Sequence, residues 1–396
     1  MSLLRSDDLA GVLRVTPGQP RPHNLISTRR DWAALLTRGV PAASLPTRLG
    51  SLFSLCGHAH RLCAEMAVAA AQSLAPAAGT TAAKDLQRET LREHVRRIGL
   101  DWPAQLASTL AYDQVRLQAH TALQLCPVFG AEAPPPSGAS HNEPWHGLQH
   151  WLSVHVLGLP AQEWLTHWEK SPAAWLRSWS EGTELWLPRL LRQARALVDK
   201  VTPAASFLRV HASATDLRVL ADSLHREPGF SRQPLWRAEC AETGPWTRLH
   251  QTRPELINTP WLRLGSRLAE LVRLALADEP ARSGAQWLAV GSMTSASLTG
   301  MAWVEMARGL LVHHVQLDGT GHDARVVSCQ VLAPTEWNFH PHGAVAQALE
   351  YLHPSTNPDV YREVNLLLSA YDPCVKHEFF TQPSGLANQS PEGFHA

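Results

Sequence analysis

At 396 residues, with 44% hydrophobic and 18% charged side chains, the chain carries enough apolar content for a large core, which excludes global disorder. Its 35 basic side chains balance its 35 acidic ones, which argues against nucleic acid or an anionic membrane surface as partner. No run approaches the roughly 18 consecutive apolar residues of a membrane span, and the opening Met1-Ser2-Leu3-Leu4-Arg5-Ser6 shows no secretory pattern.

The first fifty residues are punctuated by Pro and Gly and offer no readable period. From about residue 61 to 126, Leu86, Leu91, Val95 and Ile98 recur at helical spacing and predict a mostly helical region. Residues 132–144, with Pro134-Pro135-Pro136-Ser137-Gly138 inside them, read as a loop. Residues 145–200 and 214–278 read as helical again. Within the second stretch Leu262, Leu264, Leu268, Leu271 and Leu274 mark an amphipathic face, and Ser213-Ala214-Thr215-Asp216 offers caps. Trp145, Trp151, Trp164, Trp168, Trp175, Trp179 and Trp186 fall among these helices as packing groups.

Beyond Trp287 the pattern turns extended. Residues 287–291, 310–317 and 325–332 read as strands, with Asp318-Gly319-Thr320-Gly321 turning between the last two. A closing helix over 358–371 carries Val360, Val364, Leu367 and Tyr371 and delivers Cys374 just past its end. The expected architecture is α+β and predominantly α, a helical core with a small antiparallel sheet near the C-terminus, in a single domain over 1–396.

Six cysteines, Cys56, Cys63, Cys126, Cys240, Cys329 and Cys374, do not make a disulfide framework in a chain this long, and a reducing cytoplasm is the expected compartment. Cys56, His60 and Cys63 stand at i, i+4 and i+7. That spacing suits a soft-metal set on one helix face as well as a core cysteine beside ordinary histidines. Cys374 with His377 is half a zinc-type pair, with no second half nearby. Cys329 reads as a small buried strand residue. His313 and His314 fall on opposite faces of one strand, which argues against a paired-histidine site.

Four islands in fixed order are more specific than any of these alone. Ser54-Leu55-Cys56-Gly57-His58-Ala59-His60-Arg61-Leu62-Cys63 and Ala370-Tyr371-Asp372-Pro373-Cys374-Val375-Lys376-His377 stand toward the two ends. Between them lie Glu305-Met306-Ala307-Arg308-Gly309 and Ala333-Pro334-Thr335-Glu336-Trp337-Asn338-Phe339-His340-Pro341. Over residues 8–377 the chain resembles the large-subunit superfamily of nickel-iron hydrogenases. The corresponding stretches there read Arg-x-Cys-Gly-x-Cys-x-x-x-His, Glu-Ala-Pro-Arg-Gly, Val-Pro-Ser/Thr-Thr-Trp-Asn-x-x-Pro and Asp-Pro-Cys-x-x-Cys-x-x-His. In each cysteine pair the first member is kept and the second is replaced, by Ala59 and by His377. With its short length, this pattern most resembles the HupK/HoxV-type hydrogenase maturation proteins.

That resemblance implies a non-catalytic assembly scaffold. Two of four thiolates are gone, so no stable nickel-iron centre is expected. The implied cargo is iron as Fe(CN)2(CO), held transiently and passed to the hydrogenase large-subunit precursor, with hydrogenase maturation chaperones as further partners. Cys56 and Cys374 would be the thiolate anchors, with His60, Cys63 and His377 as auxiliary donors. Arg308 and Thr335 would donate hydrogen bonds to cyanide. The family's proton-relaying glutamate falls on Ala10, and the histidine at its C-terminal cleavage site falls on Phe380, which implies no turnover and a retained tail over 378–396. Two other readings stay open: a metal-free homologue that docks on assembly partners, and a simple zinc or iron protein.

Overall fold

The computed structural model describes residues 11–74, 80–107, 112–129, 143–198, 206–249, 253–276, 287–353 and 359–380. Ala10, the loop over 132–142 and the tail beyond Phe380 lie outside the described residues, whereas Glu143 and Pro144 already belong to a helix, Glu143–Leu152.

The Pro- and Gly-punctuated start conceals two strands, β1 (Val12–Val15) and β2 (Leu25–Ser27), paired antiparallel. Helix α1 (Gly57–Ala71) follows a 3-10 turn at Ser54–Cys56. A carboxylate holds its first turn: Glu89 accepts from the amides of His58 (2.8 Å) and Ala59 (2.9 Å), satisfying two donors that a helix N-terminus otherwise leaves orphaned. Glu89 lies on α2 (Thr80–Arg96), whose Leu86, Leu91 and Val95 are buried as their spacing predicts. Trp151, Trp164, Trp168, Trp179 and Trp186 are buried, as expected of packing groups. Trp164 stacks on Trp168 at 5.7 Å and meets Trp179 edge-on at 5.4 Å.

The stretch 214–278 is not one helical run. The helix Ala214–Arg226 stops just before Pro228 and Gly229. Pro234 and Pro254, which lack the amide a helix needs, help keep the chain irregular beyond it, apart from short turns of helix at Pro245–Leu249 and Pro254–Leu256. Next comes α3 (Pro260–Ala275), capped by the Thr259 hydroxyl, which accepts from the Leu262 amide at 3.2 Å. It is apolar on the predicted face, but its polar stripe does not face water: every residue from 260 to 272 is buried. The stripe meets partners inside the core, Arg263 on Glu242 at 2.9 Å, Arg267 on Asp372 at 3.1 Å, and Glu270 on Arg248 at 2.6 Å and His94 at 2.8 Å. Charges are tolerated at such depth because each is paired.

Strands β3 (Val290–Ala296), β4 (Thr299–Met306), β5 (Gly309–Leu317) and β6 (Val326–Leu332) form an antiparallel meander in that order. Sequence reading overlooks β4 because both faces of the sheet are covered, which removes the alternation that marks a half-exposed strand. Ala302, Val304 and Leu311 share a core with Leu62 and Ala67 of α1, while Met301, Leu310 and Val312 share one with Leu220 and Leu224. The first strand begins at Val290 rather than at 287, and the β5–β6 connection runs over 318–325, longer than the four-residue turn expected. His313 meets His60 on the α1 side, and His314 meets His225 on the other.

Helix α4 (Val360–Tyr371) ends at Asp372, whose φ of 54° is left-handed. Beyond it β7 (Lys376–Phe379) joins β1 in parallel, with Val12 opposite Lys376 and Val15 opposite Phe379. The C-terminal segment is thus sewn onto the N-terminal strand. Among the described residues no helix is long and apolar enough to cross a membrane.

Glu305 on β4 provides a pH signature. Burial raises its carboxyl from 4.5 to about 7, against the pull of Arg248. Burial lowers its neighbour His211, 3.5 Å away, from 6.5 to about 4. A raised carboxyl contributes stability below its unfolded value and loses it as pH climbs through the folded one; a lowered imidazole does the reverse. Glu305→Gln should remove the falling limb and leave the rising one. Relative to the native chain, the variant then gains roughly 3 kcal/mol between pH 4.5 and pH 8, read from urea midpoints. A stability difference that does not vary with pH contradicts the assignment.

Candidate metal-handling site

Cys56 precedes α1 and Cys374 follows α4, and the fold brings them to the same two guanidinium groups. Arg308, buried in the β4–β5 turn, lies within electrostatic reach of both sulfurs, and so does Arg29 from the segment after β2. Cys374 in turn lies within electrostatic reach of Cys56. Thr335 donates its hydroxyl hydrogen to Cys374 Sγ at 3.1 Å, and the Cys374 amide approaches that hydroxyl oxygen at 3.4 Å. Arg308 directs Nη2 to Glu93 and holds Nε 3.5 Å from Asp372, while Nη1 makes no hydrogen bond among the described residues. A buried guanidinium with a spare donor beside two thiols suits an anionic ligand.

Asp372 fixes the cysteine loop. Arg97, Arg267 and Arg308 converge on its carboxylate, and Arg97 also donates to the Pro373 carbonyl at 2.9 Å. Burial alone would raise this carboxyl, but Arg308, Arg97 and Arg267 hold it well below the usual carboxylate range. Around it four guanidinium groups, Arg96, Arg97, Arg267 and Arg308, face three carboxylates, Glu93, Asp101 and Asp372. A fourth carboxylate, Glu89, also acts on Cys56, so the two signs balance around the sulfurs. Burial pushes the Cys56 thiol up to about 12, outweighing the pull of Arg308. It therefore rests as a neutral thiol, and a metal taken up there would displace a proton.

The auxiliary donors do not join this pair. Among the described residues no group of three or more His, Cys, Asp or Glu side chains is arranged to hold a metal ion. Cys56 has φ −139° and ψ 40°, outside the helix, so the i, i+4, i+7 spacing does not carry His60 and Cys63 to its face. Both are taken up by the sheet. His60 Nδ1 lies 3.0 Å from His313 Nε2 and stacks on Phe53 at 4.0 Å, and Cys63 donates to the Ala302 carbonyl at 3.4 Å. His377 sits on β7 with Nε2 3.0 Å from Asn365 Oδ1. Of the sequence-based donors, Cys56 and Cys374 are the two that share Arg308, and Thr335 bonds Cys374. Arg29 is the functional neighbour that sequence reading missed: it lies in a segment without period, and its partner Glu336 is 307 residues away.

Two clefts flank the Thr335–Cys374 contact. One of about 800 Å³ is lined by Arg29, Phe53, Phe230, Thr335 and Glu336 among others. A second of about 480 Å³ is lined by Leu55, Arg96, Arg97, Cys374 and His377 among others. All six cysteines are free.

A helical body, a late antiparallel sheet and two cysteines gathered from distant loops define a hydrogenase large-subunit-like fold. A solved NiFeSe hydrogenase variant from Desulfovibrio vulgaris Hildenborough superimposes with a TM-score of 0.51 at 14% identity, covering 88% of this chain and 92% of that one. In sequence the chain is 38% identical over 380 residues to the hydrogenase expression/formation protein HoxV of Cupriavidus necator, covering 95% of this chain and 96% of the relative. It is 30% identical over 345 residues to the hydrogenase expression/formation protein HupK of Bradyrhizobium diazoefficiens, covering 86% and 87%. No family model matches. The chain belongs to the HoxV/HupK family of hydrogenase expression/formation proteins.

Proposed function

We propose that the protein is a non-catalytic, cytoplasmic assembly factor that carries iron, as Fe(CN)2(CO), on Cys56 and Cys374 before it passes to a hydrogenase large-subunit precursor. The observation that carries this reading is the convergence of both thiols on Arg308, with Thr335 bonded to Cys374. Two sulfurs complete only part of a metal's coordination shell. The remaining positions stay with the small ligands or with a partner, which favours release over retention. Arg308 Nη1 supplies a donor to a cyanide nitrogen, and the guanidinium groups of Arg308 and Arg29 offset the thiolates.

Cys56→Ser and Cys374→Ser, introduced into a host lacking the native gene, should each abolish hydrogenase maturation and iron retention while the protein remains folded. Maturation at the native level in both variants would overturn the carrier role and leave a docking protein. Thr335→Val keeps the side-chain shape but removes the hydroxyl from Cys374. It should alter stability by only about 1 kcal/mol while shortening the lifetime of bound iron, read as iron remaining after gel filtration. An unchanged lifetime removes Thr335 from the site.

A further inference from the structure

Thr335 lines the larger cleft and Cys374 the smaller, so the hydrogen bond between them is part of the partition separating the two. Cys374 itself opens only to the smaller cleft; it does not line the larger one. Cys56 is 8% exposed and borders neither. A group that is to bond Cys374 sulfur from solvent therefore has one of the two clefts available.

The charge of that cleft is not neutral. Its ionised lining consists of Arg96, Arg97 and Lys376 against Asp101 and Asp372. The two signs are also unequally presented. The Arg96 and Arg97 side chains are 27% and 14% exposed, those of Asp101 and Asp372 18% and 2%, so taken together the basic groups face the cleft more openly than the acidic ones. Lys376 is exposed at the rim, where β7 begins. Low-dielectric walls around such an arrangement concentrate anions.

We infer that the cargo enters and leaves through the smaller cleft, and that this route selects anionic species over cationic ones. The inference rests on the proposed iron-carrying role. It adds a direction to that role: Cys374 is the first protein ligand gained and the last lost, and Cys56 completes the grip from within.

The test uses the full chain with no metal, probed by two methanethiosulfonates of similar size, one bearing a sulfonate and one a trimethylammonium. Mass spectrometry follows labelling at Cys374. With each rate divided by that reagent's rate on a small free thiol, the anionic reagent should react faster by about tenfold at low salt, a preference that shrinks as salt is added. Lys376→Glu should reduce the preference, and Arg96→Gln should do the same by a second substitution. Leu55→Trp, at the mouth of the smaller cleft, should slow labelling by both reagents, whereas Ser27→Trp in the larger cleft should not. Equal rates for the two charges overturn the selectivity, and slowing by Ser27→Trp instead of Leu55→Trp overturns the route. Iron loading then separates the two claims. If the native chain takes up Fe(CN)2(CO) and Leu55→Trp does so equally fast, the route is wrong and the carrier role stands. If the native chain takes up none, the carrier role fails whatever the labelling shows.

Discussion

Asp372→Asn is expected to destabilise the protein by about 3–5 kcal/mol, the range for breaking a buried ion pair from one side. The substitution keeps the shape and removes the one charge on which Arg97, Arg267 and Arg308 converge. Three guanidinium groups at the heart of the fold then share one fewer counter-ion. The native carboxyl is held below its ordinary value of 3.8, so its contribution is fully present above that pH and is lost as pH falls below it. Acid unfolding of the native chain should therefore steepen below about pH 4, and the Asn variant should lack that component. Urea unfolding at neutral pH measures the first effect and an acid titration the second. A loss under about 1 kcal/mol would show that the arginines are satisfied without Asp372.

Gly300→Ala is the second large expected effect, and it arises from shape alone. A Cβ at this position of β4 would lie 2.1 Å from the Ala67 carbonyl oxygen and 2.4 Å from the Ala71 amide nitrogen. Both are backbone atoms of α1, so no side-chain rotation relieves the clash. The helix would have to lift from the sheet, and Cys56 stands at its N-terminal end. Overpacking ordinarily costs about 1–3 kcal/mol and more where nothing gives, which places this variant at the upper end. Gly319→Ala is the control, since nothing lies within 4 Å of its added carbon. Thermal denaturation should separate the two clearly; similar midpoints would mean that α1 does not press on β4 as described.

These two positions illustrate what a sequence makes legible. Asp372 sits in an island that is recognisable by its neighbours, and the helix before it is readable from Val360, Val364 and Leu367. Its three arginine partners are not, because Arg97, Arg267 and Arg308 come from segments whose only link is three-dimensional. The polar stripe of α3 looks the same in a sequence whether it faces water or a buried carboxylate. Gly300 carries no local signal at all. The strand containing it is covered on both faces, so neither alternation nor turn chemistry announces it. His60 and Cys63 show a related limit: helical spacing relates them to Cys56 only where the backbone stays helical, and it leaves the helix there. The Cys56, Arg308, Thr335 and Cys374 islands are tied together by motif order, which carries information that spacing alone lacks.

Strand β7 on β1 fastens the segment just beyond Cys374, with the Phe380 amide donating to the Val15 carbonyl at 2.9 Å. The cysteine loop is thereby braced on one side by Arg97 and on the other by a sheet.

Infrared spectroscopy of the protein, purified anaerobically after co-production with hydrogenase maturation machinery, tests the central claim most directly. Cyanide and carbonyl stretches fall where polypeptide does not absorb. The account predicts such bands in the native chain and their loss in Cys56→Ser and in Cys374→Ser. Their absence from well-folded native protein, or their persistence in the double variant, would contradict it.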